Sequence, residues 1–225
     1  MIPELDKDAL AVRIAKNIAA LVDTATEPFV LNLGVGMPTQ VSTYVTNPNV
    51  YVQAENGMMG VGALATPEEA HPMLCNAGRQ PVLETPGCSY MDSVTSFGMI
   101  RGGHVDATVL GAFEVDQDAN IANWIIPNGK QLGVGGAMDL VAGANKVIVA
   151  MSHTNKGKTK LIKKCTLPIT GVGEVDIVVT ELGVFFFENG TVILKKIAPE
   201  ATVEDVRSVT ELAFEVDPNL EKMIA

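Results

Sequence analysis

Apolar residues Leu10, Ile14, Ile18, Leu21 and Val22 recur at helical spacing, which predicts an amphipathic helix near the start of the chain. Phe29-Val30-Leu31-Asn32-Leu33 then reads as a buried strand running into Gly34-Val35-Gly36. Pro38 suits the first turn of a second helix. Val50 to Gln53 is the next strand, and it runs out into the turn Asn56-Gly57-Met58-Met59-Gly60. Further along, the pattern predicts a helix capped by Ser89 and reaching Ile100, then strands over Val105–Leu110 and Asn123–Ile126. Gly133-Val134-Gly135-Gly136 precedes a short helix from Ala137. Lys146–Ala150 and Asp176–Thr180 are rich in β-branched residues, as strands buried on both faces are. Phe185–Phe187 and Thr191–Leu194 flank Asn189-Gly190, a strong hairpin signal. Thr202-Val203-Glu204-Asp205 has the form of a capping box and opens a final helix.

Strands alternating with helices predict an α/β fold: a mainly parallel open sheet with helices on both faces and a hairpin near the C-terminus. No repeat or linker divides the chain, so residues 1–225 read as a single domain. A hydrophobic content of 47% against 19% charged residues fits an ordered globular protein. The net charge of -10 argues against a nucleic-acid partner. No long uncharged apolar span predicts a membrane helix, and the acidic start Met1–Asp8 does not read as a signal peptide. Cys75, Cys88 and Cys165 are odd in number and lack metal-site spacing, so they read as reduced thiols of a cytoplasmic protein.

The candidate chemistry centres on Gln53-Ala54-Glu55-Asn56-Gly57. A carboxylate at the end of a strand stands where open α/β sheets gather their ligands. A Glu there is more often an ordinary paired or solvated residue. Here the following Asn56-Gly57 would fix its direction, and Met58, Met59 and Val61 would make its surroundings apolar and suit a short aliphatic chain. A partly desolvated carboxylate can act as a nucleophile toward a carbonyl. The loop Gly133–Gly136 could present backbone N–H groups to an oxyanion or phosphate, and it reads equally well as a tight turn entering a helix. It lacks the third glycine of a dinucleotide fingerprint, and no Walker or Gly-x-Ser-x-Gly sequence occurs. His71, His104 and His153 are scattered and form no zinc signature. Arg101-Gly102-Gly103-His104 ends a helix, where cations suit the dipole. Lys156, Lys158, Lys160, Lys163 and Lys164 form a basic run that reads as a solvated loop or a meeting point for an anion.

Gln53-Ala54-Glu55-Asn56-Gly57 resembles the Ser-Glu-Asn-Gly signature of family I coenzyme A transferases, in their β chain. The likeness runs through Asn32–Pro38, Asn76-Ala77-Gly78, Ile100–Val105, Ala122–Pro127, Gly135–Val141, His153–Gly157, Lys163–Pro168 and Val179–Val184. Within the family it is greatest toward enzymes of acetate, butyrate and acetoacetate. The resemblance implies an open-sheet CoA-transferase-like fold and CoA exchange between a short-chain acyl-CoA and a carboxylic acid. The exchange would be ping-pong, through a glutamyl-CoA thioester on Glu55. Gly136, with Gly135 beside it, would supply an oxyanion donor, and Asn32, Arg79 and Asn123 would contact CoA. No metal and no tightly bound cofactor are implied; the CoA thioester is a substrate. A partner α subunit is implied, in an α2β2 assembly with the site at the interface, and a chain purified alone should then be inactive. Two positions depart from the family pattern. Ala54 replaces the signature serine, whose side chain would alternate away from Glu55. Arg79 replaces a common lysine, and Arg favours planar, bidentate contacts. Two rival readings stand beside this one: a sugar-phosphate isomerase-like enzyme with a strand-end base, and a non-catalytic metabolite-sensing domain on a related fold.

Overall fold

The computed structural model describes residues 5–129, 131 and 133–225; part of the acidic start therefore lies outside the described residues. The chain enters through α1 (Lys7–Val22), capped by the Asp6 carboxylate, which accepts from the N–H groups of Asp8 and Ala9. The strands β1 (Phe29–Leu33), β2 (Val50–Ala54), β3 (Met58–Leu64) and β4 (Val82–Tyr90) follow, then α2 (Ser93–Arg101). Next come β5 (Ala107–Leu110), β6 (Glu114–Asp116), β7 (Ile121–Ala122), α3 (Ala137–Gly143) and β8 (Val147–Ala150). The short pieces β9 (Thr154–Asn155), β10 (Lys158–Thr159) and β11 (Leu161–Ile162) lead to β12 (Ile177–Val179), β13 (Gly183–Glu188) and β14 (Thr191–Ile197). α4 (Val203–Ser208) and β15 (Glu215–Lys222) complete the order.

Ten strands form one sheet in the order β15-β14-β13-β12-β8-β5-β1-β2-β3-β4. Its centre, β12-β8-β5-β1-β2, is parallel; antiparallel pairs extend it on both sides, and β15 joins β14 in parallel at one edge. β5, β8 and β12 are buried throughout, β1 and β2 over their C-terminal halves, and the buried residues alternate between two cores. Val147 and Val149 of β8 face one with Ile100 and Leu140, from α2 and α3. Ile148 and Ala150 face the other, with Ile14 and Ile18 of α1. This is the period-two pattern of a strand covered on both faces. Among the described residues, no helix is long and apolar enough to cross a membrane.

Four local expectations need correction. Ser89 is not a helix cap but part of β4; Asp92 caps α2, its carboxylate accepting from the Thr95 N–H at 2.7 Å. The segment after Pro38 is a 3-10 helix, Met37–Thr43, entered at Gly36 with φ 91°. Asn123–Ile126 is not a strand: β7 stops at Ala122, and Ile125 makes only an isolated bridge to Gln131. Asn56–Gly60 is not all turn, because Met58 already begins β3, which pairs back onto β2. The closing β15 was not legible at all. Its Asp217, Pro218 and Asn219 are poor strand formers, and it lies on the sheet edge, where such residues are tolerated.

Candidate active site

From β1 the chain steps to β2 on one side, whereas β5 returns on the other. The loops leaving β1 and β5 therefore diverge, and a crevice opens at the C-terminal ends of the strands. A cavity of about 480 Å³ occupies it. Gly34 and Val35 beyond β1, Glu55 beyond β2 and Gly111 beyond β5 reach it, as does the loop Gly133–Gly136.

Beneath Glu55 lies a polar row crossing three strands. Thr108 of β5, Asn32 of β1 and Gln53 of β2 are in register with one another. All three are fully buried, as is Ser96 of α2. The Asn32 amide donates to Gln53 Oε1 at 2.8 Å and to Glu55 Oε2 at 3.2 Å, and its Oδ1 accepts from the Thr108 hydroxyl at 3.2 Å. Gln53 Nε2 in turn donates to Ser96 Oγ at 2.8 Å. Buried polar groups are tolerated when they satisfy one another. The Glu55 carboxylate, half-buried, is where this network meets the cavity.

The turn carrying Glu55 is fixed by its glycine. Gly57 has φ 123°, its N–H donates to Ala54 O at 3.0 Å, and its carbonyl accepts from the Met91 N–H at 2.9 Å. A Cβ at Gly57 would stand 2.1 Å from the Met91 carbonyl oxygen, so only glycine fits. Ala54 itself is buried in the apolar core with Met58 and Val61. Those two side chains thus pack beneath β2 and do not line the cavity, contrary to the aliphatic pocket expected from the sequence.

Gly136 caps α3 with its backbone, and no side chain caps that helix end. A Cβ on it would come within 3.0 Å of the Phe97 ring and 3.7 Å of Glu55 Cγ. The loop backbone therefore lies directly against the carboxylate side chain. Gly135, at φ 53°, shapes the approach.

The sequence-derived candidates separate into three groups. Glu55, Gly135, Gly136 and Asn123 all line the cavity. Asn123 is held there by Thr170, whose hydroxyl donates to Asn123 Oδ1 at 2.7 Å. Asn32 lies below the cavity floor, its amide engaged by its neighbours. Arg79 is exposed at φ 63° on the turn Asn76–Gln80 and does not line the cavity. That turn lies beside it, for a Cβ on Gly78 would stand 3.5 Å from Val35 Cγ1, a wall residue. One feature escaped the sequence reading, and another was read only as part of a basic run that could meet an anion. The row Thr108-Asn32-Gln53 was signalled only by polar residues in otherwise apolar strands. Lys160 enters the cavity wall from within the basic run, while Lys156, Lys158, Lys163 and Lys164 are exposed.

The family model for coenzyme A transferase matches residues 14–208, from α1 through α4. The chain belongs to the coenzyme A transferase family. It is 50% identical over 196 residues to the beta subunit of the acetate CoA-transferase of Haemophilus influenzae, covering 86% of this chain and 87% of that one. It is 42% identical over 211 residues to a subunit of the succinyl-CoA:3-ketoacid coenzyme A transferase of Helicobacter pylori, covering 93% and 99%. Among solved structures, the apoenzyme of an acyl-CoA transferase from Escherichia coli O157:H7 superposes with a TM-score of 0.74 at 20% identity, which shows a shared fold. All of this chain is covered, and it spans 45% of that longer transferase.

Proposed function

We propose that this coenzyme A transferase chain moves CoA between a short-chain acyl-CoA and a carboxylate, with Glu55 as the covalent carrier. The observation that carries the reading is the Glu55 carboxylate at the cavity wall, steadied by the buried Asn32 amide and flanked by the Gly136 backbone. A Glu55 oxygen attacks the thioester carbonyl carbon of acyl-CoA. The C–S bond breaks, giving a mixed anhydride and CoA thiolate. The thiolate adds to the Glu55 carbonyl and expels the acyl group as a free carboxylate, leaving a glutamyl-CoA thioester. A second carboxylate reverses the sequence: it attacks the glutamyl carbonyl, CoA thiolate leaves, and the thiolate then takes the new acyl group and restores Glu55. Each step exchanges one acyl bond for another, so thioester energy is conserved and no net proton is needed. Each tetrahedral intermediate carries an oxyanion, and the Gly136 amide, whose backbone lies beside Glu55, is assigned to donate to it.

Asn123 on the cavity wall and Arg79 on the neighbouring turn are assigned to CoA contact. Asn32, being buried, is assigned to positioning Glu55 instead. Both relatives are named as subunits of their enzymes, and this, together with the open cavity, supports an α subunit as partner in an α2β2 assembly. The acids acted on are assigned to the acetate, butyrate and acetoacetate class.

The test uses the two-subunit complex. Incubation with acetoacetyl-CoA followed by borohydride should reduce a thioester at Glu55 and inactivate the enzyme. Glu55→Gln should lose at least about a thousandfold in kcat and resist labelling. Labelling elsewhere, or activity retained in Glu55→Gln, would refute the carrier role.

A further inference from the structure

Among the described residues, Glu55 and Lys160 are the only charged side chains lining the cavity. They enter it from opposite sides. Glu55 follows β2, and Lys160 follows the β9–β10 hairpin beyond β8; β1 and β5 lie between β2 and β8. The wall between them includes Leu110, Ala112 and Met151. Lys160 is fixed at the backbone: its N–H donates to His153 O at 3.0 Å, and its carbonyl accepts from the Val115 N–H at 2.9 Å. Its ammonium makes no hydrogen bond or ion pair among the described residues.

The carboxylate whose charge acts on it is Glu181, but that group is buried and accepts from the His153 N–H at 2.8 Å. Arg13 lies behind it, donating to the Glu181 carbonyl at 3.2 Å and to Glu200 at 2.8 Å. Burial pulls the Lys160 ammonium down to about 8, with Glu181 acting in the opposite direction. A half-buried cation against an apolar wall is poorly solvated and gains from any anionic or carbonyl oxygen brought to it.

We propose that Lys160 recognises a second oxygen function at the far end of the acid whose carboxyl group reacts at Glu55. The site would then favour dicarboxylates and 3-oxo acids over plain alkyl acids of the same length. This rests on the CoA-transfer reading of Glu55. An acid bound between the two groups places its reacting carboxyl group beside Glu55 and Gly136, with its distal oxygen at Lys160. An alkyl acid leaves the ammonium without that partner. A dicarboxylate gains most, because its distal group is charged, and a ketone gains less.

The experiment compares succinate, acetoacetate and butyrate as CoA acceptors from acetyl-CoA, in the two-subunit complex carrying wild-type chain or Lys160→Met. The variant should lower kcat/KM for succinate about ten- to a hundredfold more than for butyrate, with acetoacetate between. The succinate loss should lie mainly in KM, and Lys160→Arg should restore part of it. An equal loss on all three acids would assign Lys160 to structure, through Glu181, and overturn the proposal. So would an unchanged order of preference. If Lys160→Met fails to assemble, the wild-type complex carries the test through the succinate-to-butyrate ratio of kcat/KM from pH 7 to pH 9. Titration of Glu181, His153 or any group serving the common chemistry acts on both acids, so the ratio isolates the distal contact. It should fall several-fold as Lys160 deprotonates, and a flat ratio would overturn the proposal. Absence of transfer to every acid would instead reject the CoA-transfer reading.

Discussion

Asn32 faces three oxygens with two amide hydrogens: Gln53 Oε1 at 2.8 Å, Glu55 Oε2 at 3.2 Å and, at 3.4 Å, the Gln53 carbonyl. The short bond goes to the neutral glutamine and the longer one to the carboxylate. Glu55 is thus oriented by a dipole, with no ion pair to it among the described residues, which leaves its oxygens nucleophilic. Asn32→Asp keeps the shape and inverts this arrangement, setting a second carboxylate against the first. Like charges at that range raise an apparent carboxyl pKa. The acid limb of the pH–rate profile should move up by about one unit or more, with kcat reduced about a hundredfold. A profile of unchanged shape would show that Asn32 does not act on Glu55. Glu55 was legible in the sequence because its neighbours spell a local signature. Lys160 was not: five lysines share one short segment, and only the turn at β10 directs one of them inward.

At the scale of elements, the site depends on how β2 turns into β3. The Ala54–Gly57 turn is fastened to Met91 ahead of α2, so the strand, the turn and the helix share one anchor. Gly57→Ala would both force a side chain to φ 123° and drive a Cβ into the Met91 carbonyl. The expected cost is about 2–4 kcal/mol. Urea denaturation should show it as a lower midpoint, and an unchanged midpoint would mean that the turn relaxes freely. Element types in the parallel centre were readable because β-branched, fully apolar runs such as Val147–Ala150 admit few alternatives. The sheet edges were not. β4 contains Pro86 and Gly87, and β15 contains Pro218, so neither carries a clean alternation. Both belong to the sheet through long-range pairing, which no local pattern encodes.

For the whole molecule, His153 ties stability to acid pH. It is fully buried between the hydroxyls of Thr180 and Thr210, at 3.0 and 2.9 Å from its ring nitrogens. Burial first, and the nearby Lys160 charge after it, hold the ring down to about 4. The folded state therefore binds a proton less readily than the unfolded chain, whose histidine titrates near 6.5. Its contribution is complete above about pH 6.5 and is lost as pH falls toward 4, by about 3 kcal/mol in all. Denaturant midpoints should decline over that window, and more steeply in wild type than in His153→Gln. Equal slopes would remove His153 as the cause. The position of β1 has a different consequence, one that concerns synthesis. Its two neighbours are β2, made soon afterwards, and β5, which is made only after β4 and α2. Until then a nascent sheet of β1 to β4 leaves the largely apolar β1 as an unpaired edge, in addition to β4, and such an edge is the form of surface on which chains add to one another. Residues 1–91 expressed alone should therefore pellet on centrifugation while the full chain stays in the supernatant, and a fragment that stayed monomeric would show that β1 is protected without β5. The strand whose Asn32 holds the Glu55 carboxylate is thus, for a time on the ribosome, the chain's most adhesive part.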